Sequence, residues 1–120
     1  MQNAKYLTIE QTGKTIVVTP STNLSELAFE RIETEAAEVF DLLNKQPRRN
    51  VVIDFQQTDY YGSTALSFFV KLWKRVRQAG GEMVFCNVSD HEREILEVTK
   101  LDALWGIYPT REEALAHVAS

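Results

Sequence analysis

Few side chains that could do chemistry lie close together in this sequence. Asp54 and Asp59 are the carboxylates nearest one predicted loop, and two carboxylates can act as general acid and base or hold a metal ion. No histidine or cysteine accompanies them, because Cys86, His91 and His117 lie further along the chain and share no ligand spacing. There is no Gly-x-Gly-x-x-Gly sequence and no Walker loop. We therefore predict no catalytic residue, no metal and no cofactor.

The bulk composition narrows the class of protein. The chain has 120 residues and a formal net charge of -4, which argues against nucleic acid as a partner because such binding requires clustered Lys and Arg. The segment from Met1 to Gln11 is polar and unlike a signal peptide, and no apolar run approaches membrane-spanning length. One cysteine cannot form an internal disulfide. We predict one domain over residues 1–120, a cytoplasmic location and no membrane insertion.

Apolar periodicity and turn residues divide the chain into strands and helices. Two β-rich runs, Lys5–Gln11 and Lys14–Thr19, are separated by Gly13 and predict a hairpin. The apolar run Val51–Phe55 is typical of a strand buried on both faces, and Ser63–Ala79 is the most regular helical pattern. The other predicted elements are a helix from about Asn23 to about Lys45, a strand over Glu82–Val88, a helix from Ser89 to about Lys100, a strand over Leu104–Tyr108 and a helix from Thr110 to the C-terminus.

The resulting order is ββαβαβαβα, which predicts an α/β fold with a mixed, mostly parallel sheet and helices packed against it. Functional loops of such folds lie beyond the carboxyl ends of the strands. This rule selects the loop between Phe55 and Ser63 and the loop around Asn23. Three capping boxes are predicted at helix starts: Asn23 with Glu26, Ser89 with Glu92, and Thr110 with Glu113.

From Val51 to Gly81 the chain resembles STAS domains, the family of the anti-sigma factor antagonists. In that family an apolar strand ending in Asp or Asn precedes a loop and then Asp-Ser-Ser-Gly-Leu, which opens a helix that closes at Gly-Gly. Here the opening is Gly62-Ser63-Thr64-Ala65-Leu66 and the close is Ala79-Gly80-Gly81. Ile95–Leu101 and Ile107–Leu115 are also similar to the family. The resemblance implies a STAS-like layered fold.

The resemblance also implies a phosphorylation site. In the family a partner anti-sigma factor kinase phosphorylates the first serine of the motif, which corresponds to Ser63, with Thr64 in the second position. A helix N-terminus favours a phosphate through its free N–H groups and its dipole. The alternative is that Ser63 only caps the helix. The chain departs from the motif at Gly62 and Ala65, and Asn23 stands where an Asp is common in the earlier loop.

One aromatic residue lies beside the predicted site. Phe68 falls off the inward stripe of its helix, on the side that carries Lys71 and Arg75. We expect Phe68 to be at least partly exposed and to anchor a partner next to Ser63. The predicted partner-binding residues are Asn23, Asp59, Tyr60, Tyr61, Gly62, Thr64 and Phe68.

The leading hypothesis is a non-enzymatic module of signalling and transcription regulation. It binds a protein partner through the Gln57–Ser63 loop, the Ser63 helix and the Asn23 loop, and the resemblance implies an anti-sigma factor kinase as that partner. A second hypothesis is a STAS scaffold or transporter-complex subunit that is never phosphorylated. A third, of another class, is a small nucleotide-binding protein or enzyme that uses the same loop. The sequence predicts no oligomeric state.

Overall fold

The structure, a computed structural model, describes residues 6–21, 29–46 and 48–119, and for residues 29–31, 63 and 64 it describes the backbone alone. The elements follow the predicted order. They are β1 (Leu7–Thr12), β2 (Thr15–Pro20), α1 (Phe29–Lys45), β3 (Asn50–Asp54), α2 (Ser63–Gln78), β4 (Met83–Cys86), α3 (Asp90–Val98), a short 3-10 helix (Leu101–Ala103), β5 (Gly106–Tyr108) and α4 (Arg111–Ala119).

The strands form one five-stranded sheet in the order β1-β2-β3-β4-β5. The hairpin pair β1 and β2 is antiparallel, and the pairs β2–β3, β3–β4 and β4–β5 are parallel. The mixed sheet predicted from the sequence is therefore confirmed, with β3 at its centre. Val51, Val52 and Ile53 are fully buried, as the apolar run predicted.

The two faces of the sheet are covered by different helices. Ile53 belongs to the larger core, which also contains buried residues of α1, α2 and α3. Its neighbour Val52 belongs to a smaller core with Ala114 and Val118 of α4. Because successive side chains of a strand point to opposite faces, α1, α2 and α3 lie on one face and α4 on the other.

Some boundaries differ from the prediction. The last strand begins at Gly106 rather than at Leu104, because a 3-10 turn occupies Leu101–Ala103. Helix α3 ends at Val98, and Lys100 then adopts a left-handed conformation with φ of 63°. The predicted helix start at Asn23 lies outside the described residues. No helix within the described residues is long and apolar enough to span a bilayer.

Candidate functional site

The loop from Phe55 to Gly62 leaves the carboxyl end of the central strand β3 and leads into α2. Its first half is a tight turn. The backbone N–H of Thr58 donates to the carbonyl of Phe55 at 3.0 Å, and the N–H of Gln56 donates to the carboxylate of Asp54 at 3.0 Å. These bonds give partners to backbone groups that would otherwise have no hydrogen bond where the strand ends. The loop is thus an ordered feature of the sheet edge.

The first turn of α3 holds the second half of this loop. The hydroxyl of Thr58 donates to a carboxylate oxygen of Glu92 at 2.8 Å. The hydroxyl of Ser89 donates to the carbonyl of Asp59 at 3.0 Å, and that of Tyr61 donates to the carbonyl of Glu92 at 2.8 Å. Three bonds from separate loop residues converge on one helical turn, so α3 fixes the position of the loop.

Glu92 is the centre of this arrangement, and the sequence analysis assigned it only to a capping box. The box is confirmed: the N–H of Glu92 donates to the Ser89 hydroxyl, and the N–H of Ser89 donates to the Glu92 carboxylate. The side chain is nevertheless fully buried. Burial raises the pKa of the Glu92 carboxyl above its usual range, although bonds from Ser89 and Thr58 oppose that shift.

The raised pKa of Glu92 predicts a pH-dependent stability. A folded state that binds this proton more tightly than the unfolded chain is favoured fully below the unfolded pKa of about 4.3, and the advantage is lost as pH rises through the folded pKa. Glu92→Gln keeps an oxygen for the N–H of Ser89 and offers its amide to the Thr58 hydroxyl, without the buried charge. We expect Glu92→Gln to be at least as stable as the wild type at neutral pH and to lose that advantage towards pH 4.

Denaturant unfolding of both proteins across this pH range measures the difference. Glu92→Ala is the control that breaks the box, and it should cost ~1 kcal/mol or more at every pH. If the difference in free energy of unfolding between the wild type and Glu92→Gln does not change with pH, the prediction that a buried charge on Glu92 destabilises the fold is wrong.

Tyr61 belongs to the core rather than to the partner surface. Its side chain is 1% exposed, and its ring packs edge-to-face on Phe55 at 5.4 Å and on Phe69 at 5.8 Å between centroids. Burial, followed by the charge of Glu92, raises the pKa of its hydroxyl. The assignment of Tyr61 as a partner contact is therefore corrected, because the ring points inward and anchors the loop.

The outer surface of the loop consists of Gln56, Gln57, Asp59 and Tyr60, all exposed. Tyr60 is 40% exposed. Its ring lies 5.5 Å from that of the exposed His91, with 30° between the planes. This pair joins the loop to α3 on the outside, as Thr58 and Glu92 join them on the inside. Tyr60 is thus an aromatic side chain held in one place at the protein surface.

Helix α2 begins directly after the loop. Its N-cap is Gly62, in an extended conformation with φ of -91°, and Ser63 is the first helical residue. The alternative that Ser63 merely caps the helix is thus wrong, because the capping position belongs to the preceding residue. The side chains of Ser63 and Thr64 are not described, and Asn23 lies outside the described residues.

Phe68 is buried, and the expectation that it is at least partly exposed is wrong. Its side chain is 5% exposed. The ring meets Phe40 of α1 edge-to-face at 6.5 Å and lies 5.7 Å from Phe69. The apolar stripe of α2 predicts only which of its side chains face the sheet. Helix α1 packs beside α2 and covers the side of α2 that carries Phe68. Phe68 thus connects two helices and is too buried to anchor a partner beside Ser63.

Asp54 belongs to a structural network on the other face of the sheet. Its carboxylate is fully buried and accepts from Nε of Arg111 at 2.7 Å and from the amide of Asn87 at 2.9 Å. Arg111 opens α4 and also donates to the hydroxyl of Thr19 at 3.0 Å. The carboxylate pair considered in the sequence analysis is therefore divided, since Asp59 is exposed on the loop. The sequence pattern gave no indication of Arg111.

The remaining residues considered for chemistry are dispersed. Cys86 is buried, and burial, followed by the charge of Asp54, raises the pKa of its thiol to about 12. His117 lies 2.8 Å from the carboxylate of Glu82, and His91 lies beside Tyr60. Within residues 6–21, 29–46 and 48–119, no three His, Cys, Asp or Glu side chains are grouped so as to hold a metal ion.

Solved structures similar to this chain share its fold along nearly its whole length. A STAS domain protein from Planctomyces limnophilus superposes with a TM-score of 0.82 at 28% identity, covering 95% of this chain and 98% of that one. SpoIIAA in its unphosphorylated form has a TM-score of 0.79 at 18% identity, covering 94% and 96%. The phosphorylated form of SpoIIAA from Bacillus has a TM-score of 0.70 at 18% identity, covering 93% and 98%. These similarities establish the architecture.

The sequence comparisons agree with the fold. A relative from Bordetella bronchiseptica that carries the name anti-sigma factor antagonist BtrV is 32% identical over 87 residues, which are 72% of either chain. The family model for the STAS domain matches residues 6–114, from the residue before β1 into the middle of α4. The resemblance that began at the Gly62–Leu66 motif thus extends to every described element, and the chain belongs to the STAS domain family.

Proposed function

We propose that this chain is a regulatory protein-binding module of the anti-sigma factor antagonist type and has no catalytic activity of its own. The observation that carries the proposal is the exposed Gln56–Tyr60 surface, which α3 holds rigidly beside the N-terminus of α2. A loop fixed before binding loses little conformational entropy when a partner docks. The names of BtrV and SpoIIAA support a protein partner of the anti-sigma factor class. We expect this role in the cytoplasm.

The proposed binding surface is centred on Tyr60. Aromatic residues at the centre of an interface contribute much of its binding energy, because they bury a large area with few rotatable bonds. Asp59 precedes Tyr60 and is exposed, and Thr64 lies in the first turn of α2. Gly62 is buried, so its assignment as a partner contact is corrected. Asn23 is retained as a predicted contact from the earlier loop. Tyr61 and Phe68 act only from beneath, by supporting the loop and the helix.

Ser63 is the proposed switch of this surface. As the first residue of α2 it lies among N–H groups that have no partner inside the helix, and these groups and the helix dipole favour an added phosphate. The phosphate would add roughly -1.5 to -2 charges to a surface that already carries Asp59. Burying that charge against a partner carries a large desolvation cost. The solved phosphorylated form of SpoIIAA supports such a switch within this fold.

The test begins with a pull-down from native cell extract to identify the partner, followed by calorimetry with purified proteins. We expect Ser63→Ala to bind as the wild type does and Ser63→Asp to bind at least about tenfold more weakly, a difference of roughly 1.4 kcal/mol. Both variants should keep the wild-type melting temperature within a few degrees. If the wild type and both variants bind the partner with equal affinity, Ser63 is not a switch. The hypothesis of a STAS scaffold that is never phosphorylated would then remain.

Tyr60→Ala in the same assay tests the surface itself. We expect a loss of ~2 kcal/mol in binding, typical of an aromatic anchor. The matched control is Leu104→Ala, since Leu104 is 41% exposed but precedes β5 at the opposite edge of the sheet. A larger effect of Leu104→Ala than of Tyr60→Ala would move the binding surface to that edge. Incubation with the partner and ATP, followed by mass spectrometry, separately tests phosphorylation of Ser63.

A further inference from the structure

The helical layer formed by α1 and α2 has an outer surface whose charge is divided between the two helices. The exposed side of α1 carries Glu33, Glu38 and Asp41, with one base, Lys45, in its last turn. The exposed side of α2 carries Lys71 and Lys74, and Arg75 is half-buried beside them. The chain as a whole is acidic, with a net charge of -4, so this group of bases on α2 departs from its surroundings. One face of the protein therefore carries an acidic helix and a basic helix side by side, and the two could pair with each other between two copies of the chain.

The outer side of α2 carries an open groove that reaches Phe40 of α1. A depression of about 560 Å³ is lined by Phe40, Ser67, Val70, Lys71, Lys74 and Arg75. The cations of Lys71 and Arg75 lie 6.0 and 5.8 Å from the centroid of the Phe40 ring. At these distances the cations are attracted to the face of the aromatic ring. The attraction holds both charges beside the apolar residues of the groove. The groove therefore combines apolar area with charges that are already positioned.

A second depression, of about 260 Å³, continues the surface towards α1. It is lined by Glu33, Ala37, Phe40, Asp41, Phe68 and Lys71. Lys71 thus borders both depressions. Asp41 lines the second one together with Lys71, which places the two residues at a similar height along the helices. Ala37 is exposed between the acidic residues, so a partner helix can approach α1 closely there. These depressions form one surface across the two helices.

We propose that this surface is the interface of a symmetric dimer, in which α1 of each copy lies on α2 of the other. A twofold axis that runs parallel to the helices, between α1 and α2, produces this arrangement. An axis perpendicular to the helices would instead place α1 on α1, acid against acid. Because the first arrangement keeps every residue at its own height, Asp41 of one copy meets Lys71 of the other, and the contact occurs twice.

The same symmetry has a consequence for the Ser63 loop. Helices α1 and α2 both run from the carboxyl edge of the parallel strands back to the amino edge. A twofold axis parallel to the helices preserves that direction, so the two loops of the dimer lie at the same end. The dimer would present two Tyr60 surfaces side by side, although the interface itself does not depend on what those surfaces bind.

Sedimentation equilibrium of the full chain over a wide concentration range tests the proposal. We expect a reversible monomer–dimer equilibrium whose dissociation constant rises with salt, because exposed charge pairs are screened. Asp41→Lys and Lys71→Glu should each raise the dissociation constant at least about tenfold. Both positions are exposed, so at a concentration where the wild type is monomeric the variants should melt within a few degrees of it, which confirms that the fold is kept.

Mixing the two singly reversed chains separates this interface from any effect within one chain. Asp41→Lys alone places lysine against lysine twice, and Lys71→Glu alone places acid against acid twice. An equimolar mixture restores both opposite-charge contacts, so it should form a heterodimer at concentrations where each variant alone is monomeric. A wild type that stays monomeric at all concentrations, a dimer that ignores both reversals, or a mixture that stays monomeric would each overturn the proposal.

Discussion

We expect Arg111→Ala to lower the free energy of unfolding by about 3 kcal/mol, because it leaves the carboxylate of Asp54 buried without its cation. Asp54 is fully buried, and the guanidinium of Arg111 is its cationic neighbour at 2.7 Å. We place the loss at the lower end of the usual range because the N–H of Gln56 and the amide of Asn87 still donate to the carboxylate. Denaturant unfolding should give a lower midpoint with an unchanged slope.

Two comparisons separate the buried charge from the rest of the Arg111 side chain. Glu10→Ala removes only the outer contact, 3.4 Å from Arg111 and 49% exposed, and should cost less than ~0.5 kcal/mol. Asp54→Asn combined with Arg111→Ala leaves no buried charge, so the double variant should lose less than the sum of the single losses. If Arg111→Ala lowers the free energy of unfolding no more than Glu10→Ala does, the ion pair between Arg111 and Asp54 does not stabilise the carboxyl edge of the sheet.

The same network gives Asp54 a structural role, although its place in the sequence resembles that of a catalytic group. A carboxylate at the end of a central strand lies where many α/β enzymes place their chemistry. The strand alternation, however, directs Asp54 to the face covered by α4, whereas α2 and its first residue Ser63 lie on the other face. The direction of a strand side chain becomes known only once the helices are assigned to faces.

The fold was predictable because its determinants are local. Short β-branched runs such as Val51–Phe55, capping residues such as Ser89, and the Gly80-Gly81 stop each depend on a few neighbouring positions. The strand that was predicted from Leu104 begins at Gly106 because Lys100 enters the left-handed region and the chain makes a 3-10 turn. Nothing in the residue types near Lys100 indicates that turn.

The site was less predictable because burial there depends on contacts between distant segments. Phe68 is buried by α1, a helix that ends well before it in the sequence, and Tyr61 is buried by Phe55, Phe69 and the backbone of α3. Glu92 was placed correctly in its capping box, but the reach of Thr58 to its carboxylate could not be inferred. Tyr60 and Asp59 remain predictions as partner contacts, and their exposure is compatible with that role.

The close of α2 provides the second large effect: we expect Gly81→Ala to cost about 3 kcal/mol, because backbone must move to admit one methyl group. The helix ends in a Schellman motif, in which the N–H of Gly81 donates to the carbonyl of Val76 at 2.9 Å and that of Gly80 to the carbonyl of Arg77 at 3.0 Å. A Cβ on Gly81 would lie 2.0 Å from the carbonyl oxygen of Arg49. That carbonyl immediately precedes β3, so relieving the clash shifts the central strand.

Two other glycines separate this steric effect from conformational strain. Gly13 has φ of 59° and an open surrounding, so Gly13→Ala should cost only the left-handed conformation, ~1 kcal/mol. Gly80 has φ of 89°, and its Cβ would meet only the flexible side chain of Arg48 at 3.2 Å, so Gly80→Ala should cost ~1 to 2 kcal/mol. Unfolding midpoints should therefore fall in the order Gly13→Ala, Gly80→Ala, Gly81→Ala, from least to most destabilised. A Gly81→Ala protein as stable as Gly13→Ala would mean that the Arg49 carbonyl yields without disturbing β3, and that the packing of α2 against the start of that strand is looser than the contact requires.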